Sequence, residues 1–309
     1  MSKRRLGRTD MEIEPLVFGG NVLGWTLDEP SAFAVLDAYV GAGFTAIDTA
    51  DSYGKGKSET ILGNWMKARG NRNEVLVFTK VGSDMGQGHR DLSAKWIEEE
   101  VDASLKRLQT DRIDLYQSHW PDPQTPQEET LAAFDRVIKA GKVRWIGSSN
   151  QDAQLLAEAL KISADKGFAR YQTVQNEFNL YDRNSFEGPV QDLCLKEQVS
   201  GIGYFSLARG FLSGKYRSAA DASKSARGNA AVDKYLNDRG RRILAALDAV
   251  AEAHGTTQAA VAIAWIAAQP AVGGAIASAT SPEQLKSLIH GARLALSADE
   301  LKQLADAGN

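Results

Sequence analysis

A single cysteine, Cys194, occurs in the 309 residues. An internal disulfide is therefore excluded and no cysteine falls at metal-ligand spacing, which fits a reducing cytoplasm. Long apolar runs are missing too: none approaches the roughly 18 to 20 residues of a membrane helix. The charged start MSKRRLGRTD leads into no apolar stretch of signal-peptide length. A net charge of only -3 offers no footprint for nucleic acid or an anionic membrane. Proline is scarce, at 8 residues, and no low-complexity tract or linker-like break interrupts the chain. Nor does a GxGxxG turn follow any strand-like segment, which counts against an open doubly wound dinucleotide-binding sheet.

What is present is an alternation. Apolar, strand-like segments at 16–18, 44–47, 75–79, 113–117, 143–147, 173–176, 201–205 and 272–276 are separated by helical periods. Those periods run over 31–42, with Ser31 as cap, then 58–68, 93–107, 126–140, 152–164 and 189–197. Strands separated by helices call for a parallel sheet. Eight such units in about 250 residues call for a closed (β/α)8 TIM barrel, here one domain over residues 1–309. The turn chemistry of Gly7, Thr9 and Asp10 predicts an N-terminal β-hairpin. Residues 208–237 read as a long polar loop after the seventh strand, followed by extra helices at 239–254 and 256–269. A closing helix at 297–307 carries a capping box at Ser297 and Glu300.

In a barrel every strand's C-terminal end faces the same way. Asp48 ends the second strand-like segment in GFTAIDTADSYG, Lys80 ends the third in VLVFTKVG, His119 follows the fourth in IDLYQSHWPD, and Tyr53 lies in the loop after the second. Each alone has an ordinary structural role: a turn aspartate, a packed tyrosine, a snorkelling lysine, a bonded core histidine. Their convergence at consecutive strand ends is what points to chemistry. A phenol with pKa about 10 exchanges protons poorly near neutrality, and an adjacent ammonium lowers it. Lys80 supplies that charge, Asp48 holds Lys80, and His119 donates to a substrate carbonyl. The set protonates a carbonyl oxygen but carries no hydride, so a redox cofactor is required.

The segments GFTAIDTADSYG, FTKVG, YQSHWPD, IGSSN, VQNEFN, FSLARGFLSGKY and ATSPEQL, in this order across nearly the whole chain, resemble the aldo-keto reductase family. The resemblance implies a catalytic tetrad of Asp48, Tyr53, Lys80 and His119 and an extended NADP(H) on the top face, with Gly20, Asn21 and Asp48 beside it. Ser149, Asn150 and Gln175 match the positions that hold the nicotinamide carboxamide. Tyr204 stacks on the nicotinamide if GYFSLARG aligns without a gap, and Phe205 does so if one residue is deleted. Ser206, Leu207, Arg209, Gly210 and Lys215 line the pyrophosphate, and Ser278, Ser281 and Gln284 fall in the adenosine segment. Leu288 and Thr280 depart from the Asn and the basic residue common there, which keeps NAD(H) open beside NADPH. Trp25 and Trp120 are expected substrate-pocket walls, and no metal is implied.

The expected activity is carbonyl reduction, or in reverse the oxidation of an alcohol or sugar, in the cytoplasm. The short tail after Leu296 implies an open site. Oligomeric state is not legible. Two other readings compete: a cofactor-binding regulatory subunit with little turnover, as in potassium-channel beta subunits, and a lyase forming a Schiff base on Lys80.

Overall fold

Eight short apolar segments become parallel strands that close on themselves in a computed structural model, which describes residues 3–309. The first two strands, β1 (Arg4–Arg5) and β2 (Glu12–Ile13), pair as the expected antiparallel hairpin. The barrel follows: β3 (Leu16–Gly19), β4 (Ala46–Asp48), β5 (Leu76–Val81), β6 (Ile113–Ser118), β7 (Val143–Ser149), β8 (Tyr171–Glu177), β9 (Ser200–Tyr204) and β10 (Val272–Ala277). Consecutive barrel strands pair in sequence order and β10 closes on β3. The architecture is a (β/α)8 TIM barrel.

Side chains alternate along each strand, and that period sets the interior in layers. The lower layer is apolar: Val17, Ala46, Phe78, Leu115, Ile202 and Ile276 pack together with Leu6, Met11 and Ile13 of the hairpin region, which plugs the bottom. Two residues further along the same strands come Gly19, Asp48, Lys80, Gln117, Tyr204 and Ser278. The polar residues of the site are thus the next inward layer up, seated on a dry floor.

The outer helices are α1 (Glu29–Gly41), α2 (Lys57–Arg69), α3 (Ala94–Leu108), α4 (Gln127–Lys139), α5 (Ala153–Lys166) and α6 (Pro189–Glu197). Helix α1 starts three residues earlier than a Ser31 cap implies: Asp28, not Ser31, is the N-cap, and its Oδ1 accepts the Ser31 N–H at 3.0 Å. Pro30 sits in the first turn, where a missing N–H costs nothing. Ser93 caps α3 and Asp152 caps α5.

The segment after β9 is more ordered than a polar loop. It folds into 3₁₀ turns at Ala208–Ser213 and Ala219–Lys224 and a helix, α7 (Gly228–Tyr235). A reciprocal capping box between Ser218 and Asp221 starts the second turn. Helices α8 (Asp238–Ala253) and α9 (Gln258–Ala267) follow, then α10 (Pro282–Arg293) after β10 and α11 (Ala298–Ala307). Helix α11 opens with the expected Ser297 and Glu300 box and packs on α8. Among the described residues no helix is long and apolar enough to cross a membrane.

Candidate active site

Asp48 is the last residue of β4, Lys80 the penultimate residue of β5, and His119 follows β6, its N–H bonded to Val81 O at 2.8 Å. Tyr53 arrives on the loop after β4. That loop is pinned by Thr49 N–H to Phe78 O at 2.7 Å and by Ser58, whose hydroxyl donates to Gly20 O at 2.8 Å. Three successive residues with positive φ, Gly54, Lys55 and Gly56, turn the chain sharply into α2. Glycine supplies two of the three without side-chain strain, and a Cβ on Gly56 would lie 2.6 Å from Arg107 Cδ.

The four residues meet. Lys80 Nζ, fully buried, donates to Asp48 Oδ2 at 2.6 Å, to Thr49 O at 2.8 Å and to Tyr53 Oη at 3.2 Å. The Tyr53 and His119 rings lie edge to face, 5.8 Å between centroids. Asp48 Oδ1 receives Gln175 Nε2 at 2.9 Å and Gln117 Nε2 at 3.4 Å. All three ammonium protons are therefore spent on protein acceptors. Burial works against the charge on Lys80, but Asp48 and Tyr53 outweigh it and the pKa ends above the ordinary lysine value. A protonated, fully bonded amine is a poor nucleophile, which disfavours the Schiff-base reading.

The electrostatics differ from the sequence expectation at one point. Burial raises the Tyr53 phenol above the ordinary tyrosine value; Lys80 pulls it down and Asp48 pushes it up, and burial prevails. The phenol is thus firmly protonated, suited to give a proton to an oxygen that gains negative charge. Burial, then the charges of Lys80 and Arg90, hold His119 well below the ordinary histidine value, so its imidazole is neutral.

A cleft of about 670 Å³ opens above this group. Trp25, Trp120, Asn21, Ser149, Asn150, Gln175, Tyr204, Ser206, Leu207, Arg209, Gly210, Lys215, Ser278 and Gln284 all line it. Two of the expected cofactor residues do not: Gly20 lies behind it, with a Cβ position 2.7 Å from Asp48 O, and Ser281 is the N-cap of α10. The Gln175 amide is committed to Asp48, so in this arrangement it steadies the acid. Asn150 Nδ2 donates to His119 O at 2.9 Å while Oδ1 accepts the Tyr204 phenol at 2.8 Å. Both aromatic candidates face the cleft, with Tyr204 and Phe205 edge to face at 5.2 Å. The two tryptophans carry guanidinium groups: Arg227 stands 4.8 Å over Trp25, which is 53% exposed, and Arg90 4.6 Å over Trp120. Trp120 itself stacks on His119 at 5.8 Å.

Among the site residues that the sequence does not single out, Gln117, Ser83 and Arg227 stand out. Gln117 had a signal, since it lies two positions before His119 and so on the same face of the strand. Ser83 has its hydroxyl 2.9 Å from His119 Nδ1, two residues beyond the end of β5. Arg227 comes from the long segment after β9, where no periodicity marks it. Among the described residues Arg209, Lys215 and Arg227 form no ion pair, and Arg209 Nε is buried with no partner. The only carboxylate lining the cleft, Asp48, is already tied to Lys80.

A barrel carrying this arrangement is matched by the sequence model of the Aldo/keto reductase family over residues 15–309. The chain belongs to that family. Protein tas of Escherichia coli (strain K12) is 32% identical, covering 98% of this chain and 96% of its own length. Aldo-keto reductase YhdN of Bacillus subtilis (strain 168) is 36% identical over 87% of this chain and 81% of its own. A probable voltage-gated potassium channel subunit beta of Oryza sativa subsp. japonica is 33% identical over 92% and 89%. As an aldo/keto reductase the chain is an oxidoreductase of a family that acts on small molecules.

Proposed function

We propose that the chain reduces an aldehyde or ketone to the alcohol with NADPH, with Tyr53 as general acid, and runs the same residues in reverse on an alcohol or sugar. The observation that carries this reading is the Lys80 ammonium bridging Asp48 and the Tyr53 phenol at 2.6 and 3.2 Å. Tyr53 gives its proton to the carbonyl oxygen. Lys80 stabilises the phenolate that remains, and Asp48, held by two amides, keeps Lys80 in place. His119 orients the carbonyl and shares the developing charge.

The residues present suit a dinucleotide. Cations without carboxylate partners, a buried Arg209 Nε without an acceptor, and left-handed backbone at Ala208, Arg209 and Gly210 are the chemistry of a phosphate cradle. Arg209 and Arg227 both stand over the Phe205 ring, at 4.7 and 6.0 Å. Phe205 is therefore engaged on the phosphate side, and Tyr204, anchored by Asn150, is the ring left to stack on the nicotinamide. Bound in the cleft, the reduced cofactor supplies the hydride. Trp25 and Trp120 wall the carbonyl side of an open site; no described residue beyond Leu288 lines the cleft. A cytoplasmic location agrees with the lone, buried Cys194.

Parallel fluorescence titration with NADPH and NADH tests the cofactor assignment. NADPH is expected to bind at least about tenfold more tightly, the scale of one charge-assisted hydrogen bond to the extra phosphate. Equal affinities would contradict NADPH preference, and no binding would contradict the reading as a whole. Tight binding with negligible turnover over a broad carbonyl panel would favour a regulatory role, the second reading, which the similarity to the plant channel subunit supports.

A further inference from the structure

A neutral imidazole carries one proton on two nitrogens, and only one of the two choices gives the cleft a donor. Among the described residues His119 Nε2 has no hydrogen-bond partner, whereas Nδ1 faces two hydroxyls, Ser83 Oγ at 2.9 Å and Ser52 Oγ at 3.4 Å. Neither hydroxyl has another partner among the described residues. Serine can donate or accept, so the direction is set by what each proton could otherwise reach. If Nδ1 carried the proton, the buried Ser83 hydroxyl would accept, and its own hydrogen would have no acceptor. If Nδ1 is bare, Ser83 donates to it and the bond is complete. Ser52, half-buried, adds a weaker donor on the same side.

We propose that Ser83, seconded by Ser52, is a positioning residue that fixes His119 as the Nε2–H tautomer and aims that N–H into the cleft. The tautomer assignment stands on these contacts alone; its catalytic consequence rests on the carbonyl-reduction reading. With Nε2–H as donor, the substrate oxygen receives hydrogen bonds from both Tyr53 and His119. With the other tautomer, a bare Nε2 lone pair would face that oxygen and repel it.

The test is the ¹⁵N spectrum of the imidazole nitrogens in the histidine-labelled full chain, with the His119 signals assigned by their loss in His119→Gln. In the wild type Nδ1 should be pyridine-like and Nε2 pyrrole-like. In Ser83→Ala, and more completely in Ser52→Ala/Ser83→Ala, the two signals should move toward a tautomer average. kcat for an activated aldehyde should then fall about tenfold, the scale of one lost hydrogen bond, with KM little changed. Ser83→Thr, which keeps the hydroxyl, should restore both. A pyrrole-like Nδ1 in the wild type would overturn the proposal, as would a double variant with wild-type tautomer and kcat. The wild-type spectrum decides the tautomer even if the variants fail to fold. It also decides it if no carbonyl is turned over, so failure here is distinguishable from failure of the functional reading.

Discussion

Replacing Lys80 with methionine is expected to cost about 3–5 kcal/mol of unfolding free energy and to abolish the proposed carbonyl reduction. Lys80 is fully buried and, among the described residues, its ammonium is the only cation bonded to Asp48, at 2.6 Å. Methionine fills similar space, so the loss reports charge rather than a cavity. Without the ammonium, Asp48 retains only the amides of Gln175 and Gln117 at Oδ1, and Oδ2 is left buried without a donor. Removing the second charge should undo most of the damage. Lys80→Met/Asp48→Asn is expected to recover much of the lost stability while remaining inactive, because nothing would then stabilise the Tyr53 phenolate that the proposed reaction leaves. Urea unfolding of the two single variants and the double gives the coupling directly. A Lys80→Met protein with the wild-type midpoint and slope would contradict the central role given to this pair.

Asp51→Asn is expected to stabilise the protein, by an amount that grows with pH. Asp51 is fully buried two residues before Tyr53, and burial, then the charges of Glu59 and Glu100, raise its carboxyl to about 8. The neighbourhood explains this. Arg107 is the one guanidinium there; it is bonded to Glu59 at 2.6 Å and also to Glu100, while the Tyr116 hydroxyl and Asp51 Oδ2 have no partner. Three carboxyls around one cation cannot all be charged. Below pH about 4 Asp51 is protonated both folded and unfolded, and its titration costs nothing. Above that the unfolded chain ionises while the folded one keeps its proton, so stability falls by about 1.4 kcal/mol per pH unit until the folded group titrates. Asparagine imitates the protonated acid and never ionises. The advantage of Asp51→Asn should therefore be small at pH 4, reach several kcal/mol on the order of pH 8, and then level off. A pH-independent difference between the two proteins would show that Asp51 is not the group holding the proton.

Barrel strand order and the meeting of Asp48, Tyr53, Lys80 and His119 were legible because both follow from short-range pattern. Strand and helix periods fix the alternation, and residues at consecutive strand ends must share a face. The rest either carries a signal too short to define it alone, as with Gln117, or depends on contacts the linear pattern does not encode. Helix α10 has its own start signals, Ser281 as cap and Pro282 in the first turn, inside a segment where the family resemblance points instead to ligand contacts. The order within residues 208–237 comes from tertiary packing, as when buried Ala231 and Tyr235 of α7 dock on the preceding turns, in a stretch with little periodicity of its own. The net effect on the Tyr53 phenol is not legible for a related reason: sequence shows the neighbouring lysine but not the burial that opposes it.

The most direct measurement of the proposed chemistry is loss of NADPH absorbance with 4-nitrobenzaldehyde by the wild type and by Tyr53→Phe, with cofactor affinity measured on both. Wild-type turnover, a fall in kcat of about 10²–10⁴-fold for a lost general acid, and unchanged NADPH affinity are the expected results. Equal rates for the two proteins would contradict it.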